Sequence, residues 1–570
     1  MRNIYALLIA LAPLALQAQN YQLSPTFGTN GGVRVNVAPG GDVANAHVVQ
    51  PDGKLLVSGY GYDIGTNSFH VSLLRVDTVC GAPDLNFGNG GSIAHVHEQR
   101  TTCHNMVLQP DGRIVGCGMI APSNAGSQQW PGVYRFLPDG PVDGTFNGTG
   151  YHRLSFNGGS GDFTACFINP DSSITCTGAG FLTGIGAVRF NPDGTLDTGF
   201  GTGGTAVLPL PNFSNSSKGT GIMRPDSSVV SIVITWSGVG NDYVLALAQF
   251  NAFGAPDTSF GTGGLAISPV LVNTATTEGG VGASLLPDGR ILVSCMATDA
   301  TGGFLMARFL TDGTMDSTYA TNGVSVVTRV AASAGQAHEL LADGSTLQFG
   351  STGIIGTILK RDADGQVVTG FGTNGFVDAV TGAGNEHFIG GFTLPSGRII
   401  GYGDAGEQLL AIRLTTDPVA DALPAISLNG TDLTTPGTGT FEWFLDGTLI
   451  GGATGNTLAP LQNGVYTVTM TISPDCIFTS APFNLLSVGL IVLTPTAVQV
   501  LNNPALGMLM VVNSGSPARY EVVDLSGRKI TQGLLMNGRN DVDLGNASGG
   551  VYLLRTAIAD VFDTQRIVVY

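Results

Sequence analysis

The stretch that decides the fold is "LDTGFGTGG", from Leu196 to Gly204, which contains four glycines, an aspartate and an aromatic residue. Glycine-rich runs of this kind can cradle a phosphate, close a tight turn or form part of a calcium loop. A phosphate cradle needs a helix N-terminus after the run. Here the following residues, "TAVLPL", alternate like a strand. The run is therefore predicted to be a turn.

Copies of this stretch recur along the chain with a period of 52 to 60 residues, counted between their aromatic residues. These residues are Phe27, Phe87, Phe146, Phe200, Phe260, Tyr319 and Phe371. A second marker lies between them, usually Pro-Asp-Gly, which is a strong hairpin signal between apolar runs. Its central positions are Asp52, Asp111, Asp171, Asp226, Asp288, Asp343 and Ser396.

A third marker is a strand that ends in a cation. Its residues are Arg75, Arg135, Arg189, Arg308 and Arg413, with Gln249 and Lys360 in the two remaining copies. Each unit thus contains four short strands, and seven units extend from about Phe27 to Leu414. This pattern predicts an all-β seven-bladed β-propeller, in which the strand after the first turn closes the ring against the last Arg strand. An open β-solenoid is the alternative.

The combination of these markers resembles the delta-60 repeat family, tandem repeats of secreted bacterial proteins thought to form propellers. The resemblance covers about two thirds of the chain and implies no particular reaction.

Each Arg strand precedes a recurring aspartate, as in Arg135 and Asp143 or Arg189 and Asp197, which are eight residues apart. We expect an Arg–Asp pair or turn cap that ties adjacent blades. Calcium binding is an alternative role for these loops, because calcium loops place oxygen ligands two residues apart. The candidate ligands are Asn191, Asp193 and Asp197 in one loop and Asp362 and Asp364 in another. Neither loop has the distal Glu of a typical calcium site.

The histidines form no catalytic motif, but several enter the second strand of a unit. His47 and His338 lie five residues before the turn aspartate, and His104 and His387 lie nearby in other units. Together with Glu339 and Glu386, they could converge on one face of the propeller for metal or acid–base chemistry. We assign no catalytic residue, no metal ligand and no cofactor, and we leave the binding residues unknown.

The seven cysteines fit no zinc pattern. Cys166 and Cys176 flank a predicted hairpin and could form a disulfide, although buried free thiols are the favoured interpretation. A net charge of −17 without any Lys/Arg cluster excludes nucleic acid as an expected partner. Charged residues at 11% and hydrophobic ones at 43% argue against disorder.

The first residues, 1–18, have the pattern of a secretory signal peptide. We then predict the propeller over 19–415, a linker over 416–424 and a small sandwich over 425–488. The sandwich resembles immunoglobulin-like modules, in which Trp443 would belong to the core. The apolar run 485–500 is interrupted by Pro495 and reads as two strands and a linker rather than a membrane span.

The last segment, 496–570, resembles the type A sorting domain of the type IX secretion system. The resemblance rests on Asn503-Pro504, "VVDLSGR" ending at Arg528, and "GGVYLLR" around Tyr552, whereas Tyr570 departs from the expected basic ending. It implies export to the cell surface or medium and a partner in the secretion machinery. We therefore expect a non-catalytic protein that recognises a glycan or protein. A polysaccharide hydrolase or lyase with its site in the propeller funnel is the alternative.

Overall fold

The computed structural model describes residues 20–123, 129–154, 161–180, 184–210, 219–240, 242–272, 280–297, 302–329, 333–382, 384–486, 498–545, 547–558 and 561–570. Within these ranges the chain is almost entirely β-strand, and its one helical turn is the 3-10 turn Phe146–Gly148. No helix in these ranges could span a membrane. The predicted all-β class is confirmed, whereas the predicted signal peptide lies outside the described residues.

Strand pairing over residues 22–415 forms five sheets, of five, nine, four, four and eight strands. The two largest each contain two antiparallel groups of strands joined by a short parallel contact, and these groups are numbered with the others as units 1 to 7 in chain order. The chain opens with β1 (Gln22–Leu23) and β2 (Gly32–Val35). Unit 1 contains β3 (Asp42–Val49), β4 (Lys54–Asp63), β5 (Ser68–Asp77) and β6 (Ser92–His95), and the short β7 (Arg100–Thr101) follows it. Unit 2 contains β8 (Asn105–Leu108), β9 (Ile114–Ala121), β10 (Trp130–Phe136) and β11 (Tyr151–Arg153).

Units 3 to 7 repeat this antiparallel order. Unit 3 contains β12 (Asp162–Ile168), β13 (Ile174–Ala179), β14 (Gly184–Phe190) and β15 (Thr205–Pro209). Unit 4 contains β16 (Gly219–Met223), β17 (Val229–Trp236), β18 (Tyr243–Phe250) and β19 (Leu265–Val272). Unit 5 contains β20 (Gly282–Leu285), β21 (Ile291–Met296), β22 (Gly302–Phe309) and β23 (Val324–Val327). Unit 6 contains β24 (Ser333–Leu340), β25 (Thr346–Thr352), β26 (Ile355–Arg361) and β27 (Phe376–Ala379). Unit 7 contributes β28 (Glu386–Thr393), β29 (Ile399–Ala405) and β30 (Leu409–Thr415).

The fourth strand of unit 7 comes from the beginning of the chain. β2 pairs antiparallel with β30, placing Gly32 opposite Ile412, and β1 places Gln22 opposite Thr415. Units 1 and 7 also share one hydrophobic core, in which Val57 packs with Ile400. The predicted ring closure is therefore correct. An open solenoid would leave the first and last units apart, so that alternative is wrong.

The opening stretch does lie in a turn between units. Phe200 is buried in a core shared by units 3 and 4, where it packs with Ile185 and Val233. Gly201 adopts a φ of +56°, and a Cβ there would lie 2.2 Å from the carbonyl oxygen of Thr205. Glycine is required at this position because its backbone has a left-handed conformation and lies close to the beginning of the strand that follows the turn.

The predicted Arg–Asp pairs are present, but each pair lies within one unit. Their N–O distances are 2.6 to 2.8 Å for Arg75–Asp84, Arg135–Asp143, Arg189–Asp197 and Arg308–Asp316. The tie between units is a second bond, from the other side of the guanidinium to a carbonyl of the next unit's turn. For example, Arg189 donates to the carbonyl of Ala252 at 2.7 Å. Each guanidinium also covers the repeat's aromatic ring, at 4.8 Å for Arg189 over Phe200.

After Thr415 the chain forms two further sets of sheets. The first surrounds a core with fully buried Trp443, as predicted. Its strands are β31 (Ser427–Asn429), β32 (Asp432–Thr434), β33 (Thr440–Leu445), β34 (Thr448–Leu449), β35 (Thr457–Leu458), β36 (Gly464–Ser473), β37 (Cys476–Thr479) and β38 (Phe483–Leu485). Most of the apolar run 485–500 lies outside the described residues.

The second set consists of two sheets around one core. Its strands are β39 (Val498–Val500), β40 (Met508–Asn513), β41 (Ala518–Asp524), β42 (Lys529–Leu535), β43 (Gly538–Asp543), β44 (Gly550–Ile558) and β45 (Val561–Val569).

The cysteines correct one expectation. Cys166 and Cys176 face each other in register, but both are buried free thiols. The disulfide joins Cys80 of unit 1 to Cys476 of the first C-terminal set, 396 residues away in sequence. The favoured interpretation of Cys166 and Cys176 as free thiols is therefore confirmed, whereas the bond between Cys80 and Cys476 was not predicted.

Candidate functional site

A cavity of about 530 Å³ lies at the centre of the ring, lined by residues from the first strand of every unit. Its volume is in the usual range of ligand sites, about 300 to 1,000 Å³. In six units, the residue seven positions before the central residue of the Pro-Asp-Gly marker lines the cavity. The amino acid at this position differs from unit to unit. These residues are Asn45, His104, Thr164, Gly219, Val281 and Ile389. The ring thus uses one repeated backbone to present different chemical groups.

Three of the predicted histidines meet in this cavity: His47, His104 and His338. The predicted carboxylates do not. Glu339 accepts hydrogen bonds from the backbone N–H and hydroxyl of Thr393 at 2.8 and 2.7 Å. Glu386 is buried and accepts from the hydroxyl of Thr381 at 2.6 Å. Both carboxylates hold backbone segments in place, so the expected convergence is wrong for them.

His387, the fourth predicted histidine, is also absent from the cavity lining. Its Nδ1 lies 3.0 Å from the hydroxyl of Ser351, which belongs to the neighbouring unit.

Asp162 supplies the carboxylate that the sequence analysis missed. It is 4% exposed, and its Oδ2 lies 3.3 Å from Nε2 of His104. Its Oδ1 is buried and has no hydrogen-bond partner. Burial raises the pKa of Asp162 well above its ordinary value, an effect that the charge of Arg100 opposes. Burial, with the same Arg100 charge, lowers the pKa of His104 to about 4. Near pH 7 His104 is therefore uncharged, and burial favours the protonated form of Asp162.

The register of the strands distinguishes Asp162 from two other acidic residues that begin the first strand of a unit. Asp42 and Glu386 lie three residues before the position skipped at the bulge, whereas Asp162 lies two residues before it, so the alternation of side chains places Asp162 on the opposite face of its strand. Asp42 accepts bonds from the backbone N–H groups of Val37 and Ala38, at 2.7 and 3.0 Å, and so holds the loop before its strand. An acidic residue at the start of these strands was the available signal.

Arg100 on β7 lies at the same cavity. Its guanidinium carbon lies 4.6 Å from the centre of the Phe69 ring. Its Nε is buried without a partner, and within the described ranges no carboxylate oxygen lies within 4.0 Å of it. This arginine therefore offers a positive charge to the cavity.

The remaining two histidines are held differently. Nδ1 of His338 lies 2.8 Å from the hydroxyl of Ser294, and its buried Nε2 has no partner. His47 stacks on Phe392, with ring centres 5.1 Å apart. Burial lowers the pKa of both histidines to about 4, so both are neutral near pH 7.

A metal site is not formed by these groups. Among the described residues, the one cluster of three potential ligand atoms is Asp77 with the disulfide cysteines Cys80 and Cys476. The aspartates proposed as calcium ligands instead accept hydrogen bonds that stabilise turns. Asp193 accepts from the N–H and hydroxyl of Thr195, and Asp362 accepts from two backbone N–H groups.

Comparison with known proteins supports the fold. Four segments match the family described as "Domain of unknown function (DUF5122) beta-propeller": residues 50–87, 109–146, 180–200 and 286–319. No curated protein matches the sequence.

Three solved structures illustrate the structural similarity. A catalytically inactive virginiamycin B lyase from Staphylococcus aureus is 11% identical with a TM-score of 0.37, covering 67% of this chain and 98% of its own. The polysaccharide lyase Uly1 is 11% identical with a TM-score of 0.38, covering 67% and 91%. The β-propeller domain of the Trilobed protease from Pyrococcus furiosus is 9% identical with a TM-score of 0.34, covering 66% and 93%. These likenesses concern the fold and not the activity.

Proposed function

We propose that this chain is an exported β-propeller protein that recognises a glycan or protein ligand in its central cavity. One observation carries the proposal: Arg100 Nε, Asp162 Oδ1 and His338 Nε2 are buried around one cavity without hydrogen-bond partners. An unsatisfied buried polar atom costs about 1–3 kcal/mol, and buried polar groups are normally paired. Polar groups of a bound ligand would satisfy all three atoms.

The composition of the lining favours recognition over hydrolysis. Glycoside hydrolysis usually employs two carboxyl groups on opposite sides of the scissile bond. Asp162 is the one carboxylate among the described lining residues, because Glu339 and Glu386 are bound to backbone elsewhere.

The His104–Asp162 pair favours a second candidate, a glycan-cleaving enzyme. A buried carboxyl group beside an uncharged imidazole can take a proton from a substrate or return it. This candidate needs no second carboxylate if the chemistry is elimination rather than hydrolysis.

A glycan and peptide array, with a cleavage screen on the same compounds, separates these candidates. We expect wild type to bind a defined subset without cleaving it, and Asp162→Asn to bind that subset at least tenfold more weakly. Asp541→Asn, an exposed change in β43 with 54% side-chain exposure, is the matched control. Unchanged binding in Asp162→Asn would refute recognition in the cavity. Cleavage that Asp162→Asn abolishes would establish the enzyme instead.

We further propose that residues 1–18 direct export and that 496–570 engage the type IX secretion machinery. The support is the signal-peptide pattern and the resemblance of the last segment to type A sorting domains. The immunoglobulin-like module would act as a spacer or second binder. Deletion of 496–570 should trap the protein in the periplasm, as measured by cell fractionation. Normal surface appearance of the deletion variant would contradict the proposal.

A further inference from the structure

We infer that the cavity binds an acidic sugar, with Arg100 holding the sugar's carboxylate and the His104–Asp162 pair holding a neighbouring hydroxyl. This inference rests on the proposed recognition function and names the class of ligand. It is carried by the contacts of Arg100 and Asp162, which differ from those of the other arginines and acidic residues of the ring.

Arg100 differs from the repeated arginines of the fold. Those arginines pair with an aspartate of their own unit at 2.6 to 2.8 Å. Arg100 has no such partner within the described ranges, and its guanidinium carbon lies 4.6 Å from the centre of the Phe69 ring, beside the cavity. A guanidinium can bind a carboxylate through two parallel hydrogen bonds. These two bonds hold the carboxylate more specifically than one contact to a point charge would.

Asp162 differs from Asp42 and Glu386, the other acidic residues that begin the first strand of a unit, because it lies one position nearer the bulge of its strand. Both oxygens of Asp42 are bonded, because Oδ2 accepts backbone N–H groups and Oδ1 accepts from the hydroxyl of Ser72 at 2.5 Å. Asp162 lines the cavity, its Oδ2 lies 3.3 Å from His104 Nε2, and its buried Oδ1 has no hydrogen-bond partner. A hydroxyl can donate to an ionised carboxylate and accept from a protonated one, so a ligand hydroxyl suits either protonation state of Asp162.

The rest of the lining favours a sugar over an acidic peptide. Around Arg100 the cavity presents short amide and hydroxyl side chains from four strands or the segments next to them. These side chains are Asn45, Thr102, Thr164 and Thr220. Thr102 and Thr164 are bonded within the protein, as is the amide nitrogen of Asn45, so the groups of this set that can bond ligand hydroxyls are Asn45 Oδ1 and the hydroxyl of Thr220. An acidic peptide side chain would bring a carboxylate with no hydroxyls beside it.

The experiment compares uronate oligosaccharides of the glucuronate, galacturonate, mannuronate and guluronate series with their carboxyl-reduced, neutral forms. Binding to the full chain is measured by titration calorimetry. We expect wild type to prefer at least one acidic form by roughly ten- to hundredfold, the range of a charge-assisted hydrogen bond. Arg100→Gln should abolish this preference, and Arg100→Lys should keep part of it. Asp162→Asn should weaken the binding of the acidic and the carboxyl-reduced oligosaccharides by the same factor. Arg528→Gln, whose side chain is 76% exposed in the terminal sheets, is the control.

Each result decides a different point, provided that the melting temperature shows each variant to be folded. Equal binding of acidic and neutral forms by wild type overturns the acidic-sugar inference but leaves recognition in the cavity intact. An acid preference that Arg100→Gln retains also overturns it. If no acidic oligosaccharide binds while a peptide on the array does, the ligand class is wrong. If Asp162→Asn affects no ligand at all, the proposed function fails as well.

Discussion

The buried Arg308–Asp316 pair gives the strongest test of how the repeat stabilises the ring. Oδ2 of Asp316 accepts from Nε of Arg308 at 2.7 Å and from Arg290 at 2.9 Å, and the side chains of Arg308 and Asp316 are 6% and 3% exposed. Asp316→Asn keeps the shape but leaves a buried guanidinium without its counter-charge. Breaking a buried pair in this way costs about 3–5 kcal/mol.

The pair of Arg189 and Asp197 is a matched control because it has the same spacing but greater exposure, 19% and 23%. Asp197→Asn should cost about 1 kcal/mol at most. The unfolding entropy of about 2.1 cal/mol/K per residue, over roughly 390 residues, is about 0.8 kcal/mol/K. We therefore expect calorimetry to show a fall in the propeller's melting temperature of about 4–6 °C for Asp316→Asn and about 1 °C for Asp197→Asn. Equal shifts would refute the argument that burial sets the strength of these pairs.

The same pair predicts a pH dependence. Burial opposes it, but hydrogen bonds from Thr318 and Arg290 lower the pKa of Asp316 far below its ordinary 3.8. As pH falls, the unfolded chain therefore takes up this proton before the folded chain does. The pair's contribution is complete above about pH 5 and declines below pH 3.8. The difference in melting temperature between wild type and Asp316→Asn should shrink from pH 7 to pH 3. A difference that grows would contradict this sign.

Three further predictions concern the turn, the cysteines and the cavity. Gly201→Ala should destabilise the propeller by about 3 kcal/mol. The strain of alanine in a left-handed conformation adds to the clash of its Cβ with the carbonyl oxygen of Thr205. Gly203→Ala, at φ +61° with no atom within 4 Å of its Cβ, should cost about 1 kcal/mol in the same melting experiment. Alkylation of the denatured, unreduced chain should label five thiols, and a peptide containing linked Cys166 and Cys176 would contradict the structure. NMR titration should find the imidazole of His338 with a pKa of about 4, and a value near 6.5 would show that it is not buried.

The closed ring of repeats could be predicted from the sequence because each repeat specifies its own local geometry. Asp-Gly and Phe-Gly turns at a constant period place each strand, and an eight-residue spacing is enough to pair Arg189 with Asp197. The burial of Trp443 could likewise be predicted, because a tryptophan on an alternating strand belongs to the core side.

The cavity and the disulfide could not be predicted in the same way, because both depend on distant parts of the chain. Cys80 and Cys476 are 396 residues apart, so no local pattern joins them. Asp162 and Glu386 both begin the first strand of a unit, but they differ by one position in register, and Thr381 in the loop before Glu386 donates to the Glu386 carboxylate. The sequence therefore identified His104 as a candidate without identifying Asp162 beside it.

The disulfide has a mechanical consequence for a protein that is held at one end and pulled at the other. The covalent path from the first strands reaches Cys80, crosses to Cys476 and continues into the terminal sheets. Units 2 to 6 and the strands β28 to β30 of unit 7 lie within the loop that this bridge closes. Tension between the two ends of the chain would therefore bypass these units and be borne by unit 1, by the pairing of β2 with β30 and by the C-terminal sheets. Most of the ring, with the wall that contains Asp162 and His338, would keep its shape under strain.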